Sequence, residues 1–252
     1  MKKTLSLLFS FTFLFAVSCA KENKHRSSSA DQELANCLGM IKKKSYEDGL
    51  LCLENVKARY PSSRAAQDAE LKIADSYFQQ EDYLLAAESY IGYIKLYPRN
   101  KNVDYAYYRA GLSYYHSSPK AIDRDQEYLA DAVGYFETLI THYPQSPYLN
   151  IAQKLRFDSR VKIAERHFYV AKFYFKTKEY VASIPRFEEI VEKFSETPHV
   201  PESLFHIVKA NLKLKNLEAA KNAYGKLALE HEKSKWTKKA ESILIRASKK
   251  MK

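Results

Sequence analysis

The sequence predicts an all-α protein built as a tandem array of five helix–turn–helix hairpins, and three observations carry that expectation. An amphipathic segment closed by an aromatic or imidazole ring recurs five times along the 252 residues. Glycine is scarce, with 6 residues in the chain, about 2% against the usual ~7%. Large amphipathic rings are abundant, with 20 Tyr and 13 Phe, as suits side chains packed between helices rather than in a turn-rich sheet. The six glycines stand alone and no two form a G-x-G, so the phosphate-cradling loops of nucleotide-binding folds are excluded.

The first stretch reads as an address. Lys2 and Lys3 precede an uncharged run from Leu5 to Val17, 13 residues long. As a helix that run would rise about 20 Å, short of a ~30 Å hydrocarbon core, so it is expected to be a signal peptide and not a span. Ala16-Val17-Ser18-Cys19 resembles the lipobox of bacterial lipoproteins, with alanine where that motif prefers leucine. The resemblance implies that Cys19 carries acyl (palmitate) and diacylglycerol groups, the only covalent additions expected, and that no other cofactor is present. Ala20 after the cysteine, where aspartate would signal retention, implies the inner leaflet of the outer membrane, facing the periplasm. Cys37 and Cys52 lie fifteen apart. They leave two states open, a disulfide and a pair of buried free thiols, and the second is the expectation here.

The repeat begins at Tyr46, Tyr83, Leu129, Tyr180 and Leu217, and fourteen residues on come Tyr60, Tyr97, Tyr143, Phe194 and His231. Three of these closing residues are followed by proline. Offset 3 is mostly small (Gly49, Ala86, Ala132, Ser183, Ala220). Offset 7 is large (Leu53, Tyr90, Phe136, Phe187, Tyr224), and offset 10 is Val56, Tyr93, Leu139, Ile190 and Leu227. Offsets 0, 3, 7 and 10 share one helical face, so a small residue there lets a second helix approach closely. That partner helix precedes each segment and carries Cys37, Ala74, Gly111, Ala171 and Val208 at its contact position. This grammar resembles the tetratricopeptide repeat, and it predicts a solenoid with a concave surface. The third repeat has excess residues, expected as a loop around 116–125. The fourth is expected to have a long first helix from about Tyr148 to Lys176, and a basic helix from about Lys235 to Lys250 closes the array.

No chemistry-bearing motif is found. G-x-S-x-G and H-E-x-x-H are absent, Ser117-Ser118-Pro119-Lys120 is an S-x-x-K without companions, and His199 and His206 read as surface or groove residues. The chain is therefore expected not to be an enzyme and to hold no metal. Its net charge of +11 is spread over helices, which argues against a nucleic-acid partner.

In arrays of this kind the first helix of each hairpin lines the groove. By register, repeats 1–3 contribute Leu34, Leu38, Ile41, Leu71, Asp75, Phe78, Tyr105, Tyr108, Leu112 and Tyr115, an apolar trough with one acid. Repeats 4 and 5 contribute Phe168, Lys172, Phe175, Lys176, Phe205, Lys209, Leu212 and Lys213, rings alternating with lysines. The first lining suits an extended peptide with alternating aromatic side chains, and the second a folded partner with an acidic patch.

Several stretches are more specific. They include Asn102-Val103-Asp104-Tyr105 before Arg109-Ala110-Gly111-Leu112, then Asp123-Arg124-Asp125, and Tyr143-Pro144-Gln145-Ser146-Pro147-Tyr148. Val170-Ala171 to Tyr174 and Tyr180-Val181-Ala182 follow, with Arg186, Phe194 and Thr197. Together they resemble the BamD family of lipoproteins of the outer-membrane β-barrel assembly (BAM) complex, related to the ComL competence lipoproteins. The resemblance spans about residues 31–232, and Phe194-Ser195 stands where the family has Y-P. It implies a non-enzymatic scaffold whose C-terminal repeats bind the POTRA region of BamA. Arg186 would pair with an acid there, flanked by Lys172, Lys176, Lys209, Lys213 and the insertion residues Asp123, Arg124 and Asp125. The N-terminal repeats would receive the C-terminal targeting strand of unfolded outer-membrane proteins, and other Bam lipoproteins would be partners. The expected organisation is a signal peptide (1–18), a lipidated cysteine and polar linker (19–30), a peptide-binding half (31–147), a partner-binding half (148–232) and a basic helix (233–252). A generic cell-envelope tetratricopeptide lipoprotein, serving peptidoglycan coordination, pilus assembly or competence, is the alternative.

Overall fold

The computed structural model describes residues 22–250, with side chains from Ser29 to Lys249. Eleven helices and no strand occur among the described residues, so the all-α expectation is met: α1 (Glu22–Lys42), α2 (Tyr46–Arg59), α3 (Arg64–Gln79), α4 (Tyr83–Leu96), α5 (Val103–Ser117), α6 (Glu127–His142), α7 (Leu149–Lys176), α8 (Tyr180–Lys193), α9 (Val200–Lys213), α10 (Leu217–Glu230) and α11 (Lys235–Lys250). The chain divides into two compact units, the first ending at Ala66 and the second beginning at Gln67.

In the first unit, α1 packs on α2. Leu53, Val56 and Cys37 are fully buried. Cys37 and Cys52 are joined in a disulfide with Cα atoms 5.4 Å apart, within the ordinary range for such bridges. The expected free thiols are thereby corrected. Cys37 faces inward from α1, and the register of α2 brings Cys52 opposite it. Closing a loop of this length contributes about 3 kcal/mol by restricting the unfolded chain. Helix α1 begins at Glu22, inside the stretch expected to be a linker, and Cys19 lies outside the described residues.

The second helices of the hairpins end alike. Tyr60, Tyr97, Tyr143, Phe194 and His231 are their C-caps, and each backbone N–H bonds the carbonyl four residues back. The turns inside four hairpins are also alike. Lys44, Glu81, Lys178 and Lys215 have φ of 64°, 65°, 70° and 60°. The N–H of the next residue bonds back five residues, Ser45 to Met40, Asp82 to Tyr77, Glu179 to Tyr174 and Asn216 to Asn211. These are Schellman turns, which satisfy helix-end carbonyls and usually place glycine at the left-handed position. Lys and Glu there carry a strain of roughly 1–2 kcal/mol each. The third hairpin has a nine-residue connection, 118–126, in place of this turn. The loop expected from residue 116 starts two residues later, because His116 and Ser117 continue α5 while His116 packs on Phe78 and Tyr83.

The core follows the repeat positions. Ala86, Ala132, Ser183 and Ala220 are fully buried, as are Tyr90, Phe136 and Phe187 and, at offset 10, Tyr93, Leu139, Ile190 and Leu227. Helix α7, 28 residues long, would rise about 42 Å. Its Ala152 and Leu155 pack with Phe136 and Leu139, and its Ala164, Phe168 and Ala171 with Phe187, Ile190 and Val208. One helix therefore joins two clusters. Helix α11 caps the array through Trp236, which packs against Phe205 with ring centroids 5.0 Å apart.

Gly111 is the tightest of these contacts in the second unit, since an added Cβ would stand 2.7 Å from the Phe136 ring. Gly111→Leu should lower stability by about 2 kcal/mol or more, because the fully buried ring has no room to yield. Gly134, with nothing within 4 Å of an added Cβ, should instead gain about 0.5–1 kcal/mol as Gly134→Ala. Urea unfolding followed by circular dichroism measures both, and equal midpoints for the two variants would contradict the packing described.

Candidate functional site

Within the second unit, α3, α4 and α5 bring a polar group into an apolar cluster. Asp75 is 7% exposed and would be costly to bury alone. It accepts hydrogen bonds from Tyr90 Oη (2.6 Å), Tyr105 Oη (2.7 Å) and Lys72 Nζ (2.8 Å). Burial, reinforced by the neighbouring Asp75 carboxylate, pushes both tyrosine hydroxyls above their ordinary range, so they remain donors. Arg109 adds to the group, with Nε donating to Tyr90 Oη at 2.9 Å. Its guanidinium lies 3.6 Å above the Phe78 ring. Burial opposes its charge, but Tyr90, Tyr105 and Asp75 more than offset that, leaving the guanidinium above its ordinary pKa.

This network redistributes the residues expected to line an open trough. Leu71 is 5% exposed and belongs to the core with Ala74 and Tyr90. Tyr105 directs its hydroxyl inward to Asp75, and Phe78 is covered by Arg109. Tyr108, Leu112 and Tyr115 are half-buried. Tyr108 stacks on Tyr148 at 5.0 Å with planes 5° apart, and Lys162 Nζ sits 4.3 Å from the Tyr115 centroid. In the first unit Leu34 and Leu38 are half-buried on α1, whereas Ile41 is buried against Gly49. Leu71 and Ile41 are therefore packing residues and present no surface. Their register on the helix is that of a groove position, but the approach of the following helix covers them.

At the other end of the second unit, Phe168 and Phe205 are buried at 7% and 8% and Phe175 is half-buried. The lysines seat on these rings. Lys172 Nζ is 5.2 Å from Phe168, and Lys209 Nζ is 5.0 Å from Phe175 and 5.4 Å from Phe205. Lys172 also reaches Glu202 at 3.5 Å, while Lys176 and Lys213 are exposed. Phe168 and Phe205 serve as supports beneath the cations, in place of the open rings expected. Arg186, on α8, lies 4.4 Å over the Tyr174 ring, and its Nε is buried with no hydrogen-bond partner. Tyr174 contacts Phe173 edge-on at 5.8 Å, and Phe173 is 58% exposed. Asp123, Arg124 and Asp125 are exposed on the 118–126 connection. The residue that orders that connection is Gln126, whose Nε2 donates to the carbonyls of Pro119, Ala121 and Arg124. Nothing in the sequence marked it, because its role is set by the path of the loop.

His206 corrects another expectation. It is 6% exposed, stacked on Phe187 at 5.0 Å with planes 6° apart, and ringed by Phe168, Phe175 and Phe205. Burial, with Lys209 and Lys172 nearby, lowers its pKa to about 4. Glu202 Oε1, 3.7 Å from Nε2, faces it as well. Below its unfolded pKa the unfolded chain binds a proton that the folded one refuses. Stability should thus be full above about pH 6.5 and fall as pH drops toward 4, by no more than about 3 kcal/mol. His206→Leu should flatten that slope between pH 6.5 and 4 in denaturant titrations, and an unchanged slope would assign the acid sensitivity elsewhere.

Comparison with known proteins follows the same lines. Residues 30–227 match the sequence profile of the YfiO family, described as an outer membrane lipoprotein. The chain is 29% identical over 198 residues to the outer membrane protein assembly factor BamD of Rickettsia prowazekii (strain Madrid E), covering 78% of each. It is 25% identical over 241 residues to the protein of that name from Buchnera aphidicola subsp. Acyrthosiphon pisum (strain APS), covering 88% of this chain and 95% of the relative. Among solved structures, the TPR2AB-domain:pHSP90-complex of yeast Sti1 is similar with a TM-score of 0.41 and 14% identity, covering 88% and 85%. With more than half of its length in the match, the chain belongs to the YfiO family of outer membrane lipoproteins.

Proposed function

We propose that this protein is a non-enzymatic scaffold in the assembly of outer-membrane β-barrel proteins. It is held on the inner leaflet of the outer membrane by lipid on Cys19, grips the POTRA region of BamA through its C-terminal repeats and receives client strands on its N-terminal ones. Relatives named as outer membrane protein assembly factors support the general role. The observation that carries the partner assignment is Arg186. Its guanidinium is positioned by Tyr174 and has a buried Nε without a partner, beside the exposed Phe173. A cation next to uncovered aromatic surface suits an acidic residue set in an apolar patch. An exposed ion pair alone contributes about 0–1 kcal/mol, so the rings must supply much of the affinity.

The peptide assignment is supported by Tyr108 and Tyr115, half-buried rings on the first helix of the third hairpin. Lys172, Lys176, Lys209 and Lys213 add positive charge toward the C-terminal end and favour encounter with an acidic domain.

Arg186→Glu should reduce co-purification of BamA at least about tenfold, one to two kcal/mol, while helicity is unchanged; undiminished recovery would remove Arg186 from the interface. Tyr108→Ala and Tyr115→Ala should each lower crosslinking to peptides from β-barrel C-termini, and wild-type yields in both would remove the peptide-receiving face. Cys19→Ser should move the protein from the membrane pellet to the soluble fraction, whereas continued sedimentation with membranes would argue against acylation.

A further inference from the structure

In the second unit α5 packs on α4 and α6, α7 on α6 and α8, and α9 on α8 and α10. Each of these first helices therefore lies between two second helices, and two repeat positions decide what stands above it. One is three residues beyond the contact position on the first helix, and the other is offset 6 on the second helix that follows. In the third hairpin they are Tyr114 and Tyr135, stacked with centroids 5.8 Å apart. Tyr107 joins Tyr135 at 6.3 Å, and both share a core with Ile91 and Ile94 of α4. In the fourth hairpin they are Tyr174 and Arg186, with the guanidinium 4.4 Å over the ring. In the fifth they are Asn211 and Ala223, and Leu204 stands at the place of Tyr107. Three rings are thus replaced by smaller side chains, and a cleft of about 360 Å³ lies between α8 and α10 with α9 as its floor.

The lining narrows the occupant. Leu204 and Ile207 on the floor and Val191 on the α8 wall are buried, so the apolar part of the cleft is in place before anything enters it. Asn211 is 6% exposed, and its Nδ2 donates to the Ile207 carbonyl at 3.0 Å, which leaves Oδ1 as the acceptor offered to the cleft. A phenol meets both features, with a ring for the apolar walls and a hydroxyl to donate to that oxygen. At the rim Glu188 and Glu192 stand one turn apart on α8, exposed and in no ion pair among the described residues. Lys226 is the single cation on the opposite wall, so the charge left over is negative and favours a basic residue beside the phenol.

We infer that this cleft docks a tyrosine side chain of a protein partner, with a lysine or arginine next to that tyrosine meeting Glu188 and Glu192. The repeat itself displays the chemistry of the occupant, since the third hairpin sets its own tyrosines where the fifth has none. The site is separate from the Arg186 assignment, because that guanidinium lies over Tyr174 of α7 and does not line the cleft.

The test uses labelled eight-residue peptides of alanine and serine around a central Arg-Tyr, Arg-Ala or Glu-Tyr step, in fluorescence anisotropy with the full-length protein. Arg-Ala should bind about tenfold or more weakly than Arg-Tyr, the loss of one covered ring. Glu-Tyr should bind about three- to tenfold more weakly, as an ion pair becomes a repulsion. Ala223→Tyr, which places a ring as the third hairpin does, should bring Arg-Tyr down to the affinity of Arg-Ala. Its urea midpoint should be no lower than that of the wild type, and a large fall would overturn the inference by showing that the space is not open. Equal affinity of Arg-Tyr and either comparison peptide for the wild type would also overturn it. So would binding of Arg-Tyr undiminished by Ala223→Tyr, or no binding of any of the three at millimolar peptide.

Discussion

The structure depends on the close approach of paired helices through a small residue set against a large buried one. Where Gly111 faces Phe136, the ring occupies the space in which a Cβ would stand. Ala74 and Ala171 hold the same place in the second and fourth hairpins, where they share a core with the fully buried Tyr90 and Phe187. Each such ring removes large apolar area from water, on the order of 2–3 kcal/mol when fully covered. The area is covered only because the neighbouring helix lies near enough, so the small residue and the ring act together. In the first unit Gly49 meets Ile41 by the same logic.

A second constraint follows from using tyrosine for much of that volume. A buried phenol needs a partner for its hydroxyl, and a buried carboxylate needs donors. Asp75 answers both needs at once for Tyr90 and Tyr105. The aromatic richness of the chain is thus partly a packing device and only partly a binding surface. Arg109 joins this group through one hydrogen bond, from Nε to Tyr90, and lays its guanidinium on Phe78. It faces the side on which Tyr115 and His116 extend the ring cluster. At the other end of the second unit, rings are buried beneath lysines, so the surface presented is cationic although the residues under it are apolar.

Much of this was legible in the residues. The offsets from Tyr46, Tyr83, Leu129, Tyr180 and Leu217 identify the inward face, because a 3.6-residue period leaves few ways to bury five similar stripes. The aromatic at offset 14 marks the C-cap in every hairpin. Other features left no such trace. The left-handed turn residues are Lys and Glu where glycine is the usual signal, so composition gave no hint of four equivalent Schellman turns. His206 reads as polar, yet it is enclosed by Phe168, Phe175, Phe187 and Phe205 from three helices. Gln126 looks like an ordinary loop residue and is the bond that orders the insertion.

Local periodicity and spacing were enough on their own to determine that this chain forms helical hairpins, where the second helix of each ends, and which residues share its inward face. Those properties depend on residues within one or two helical turns of each other. Tertiary structure alone decided which groove-register residues stay at the surface and which are covered, that Cys37 reaches Cys52, that Asp75 meets Tyr90 and Tyr105, and that Arg109 seats on Phe78 and Tyr90. These outcomes turn on distances between atoms far apart along the chain, and only the packing of one helix on the next sets them.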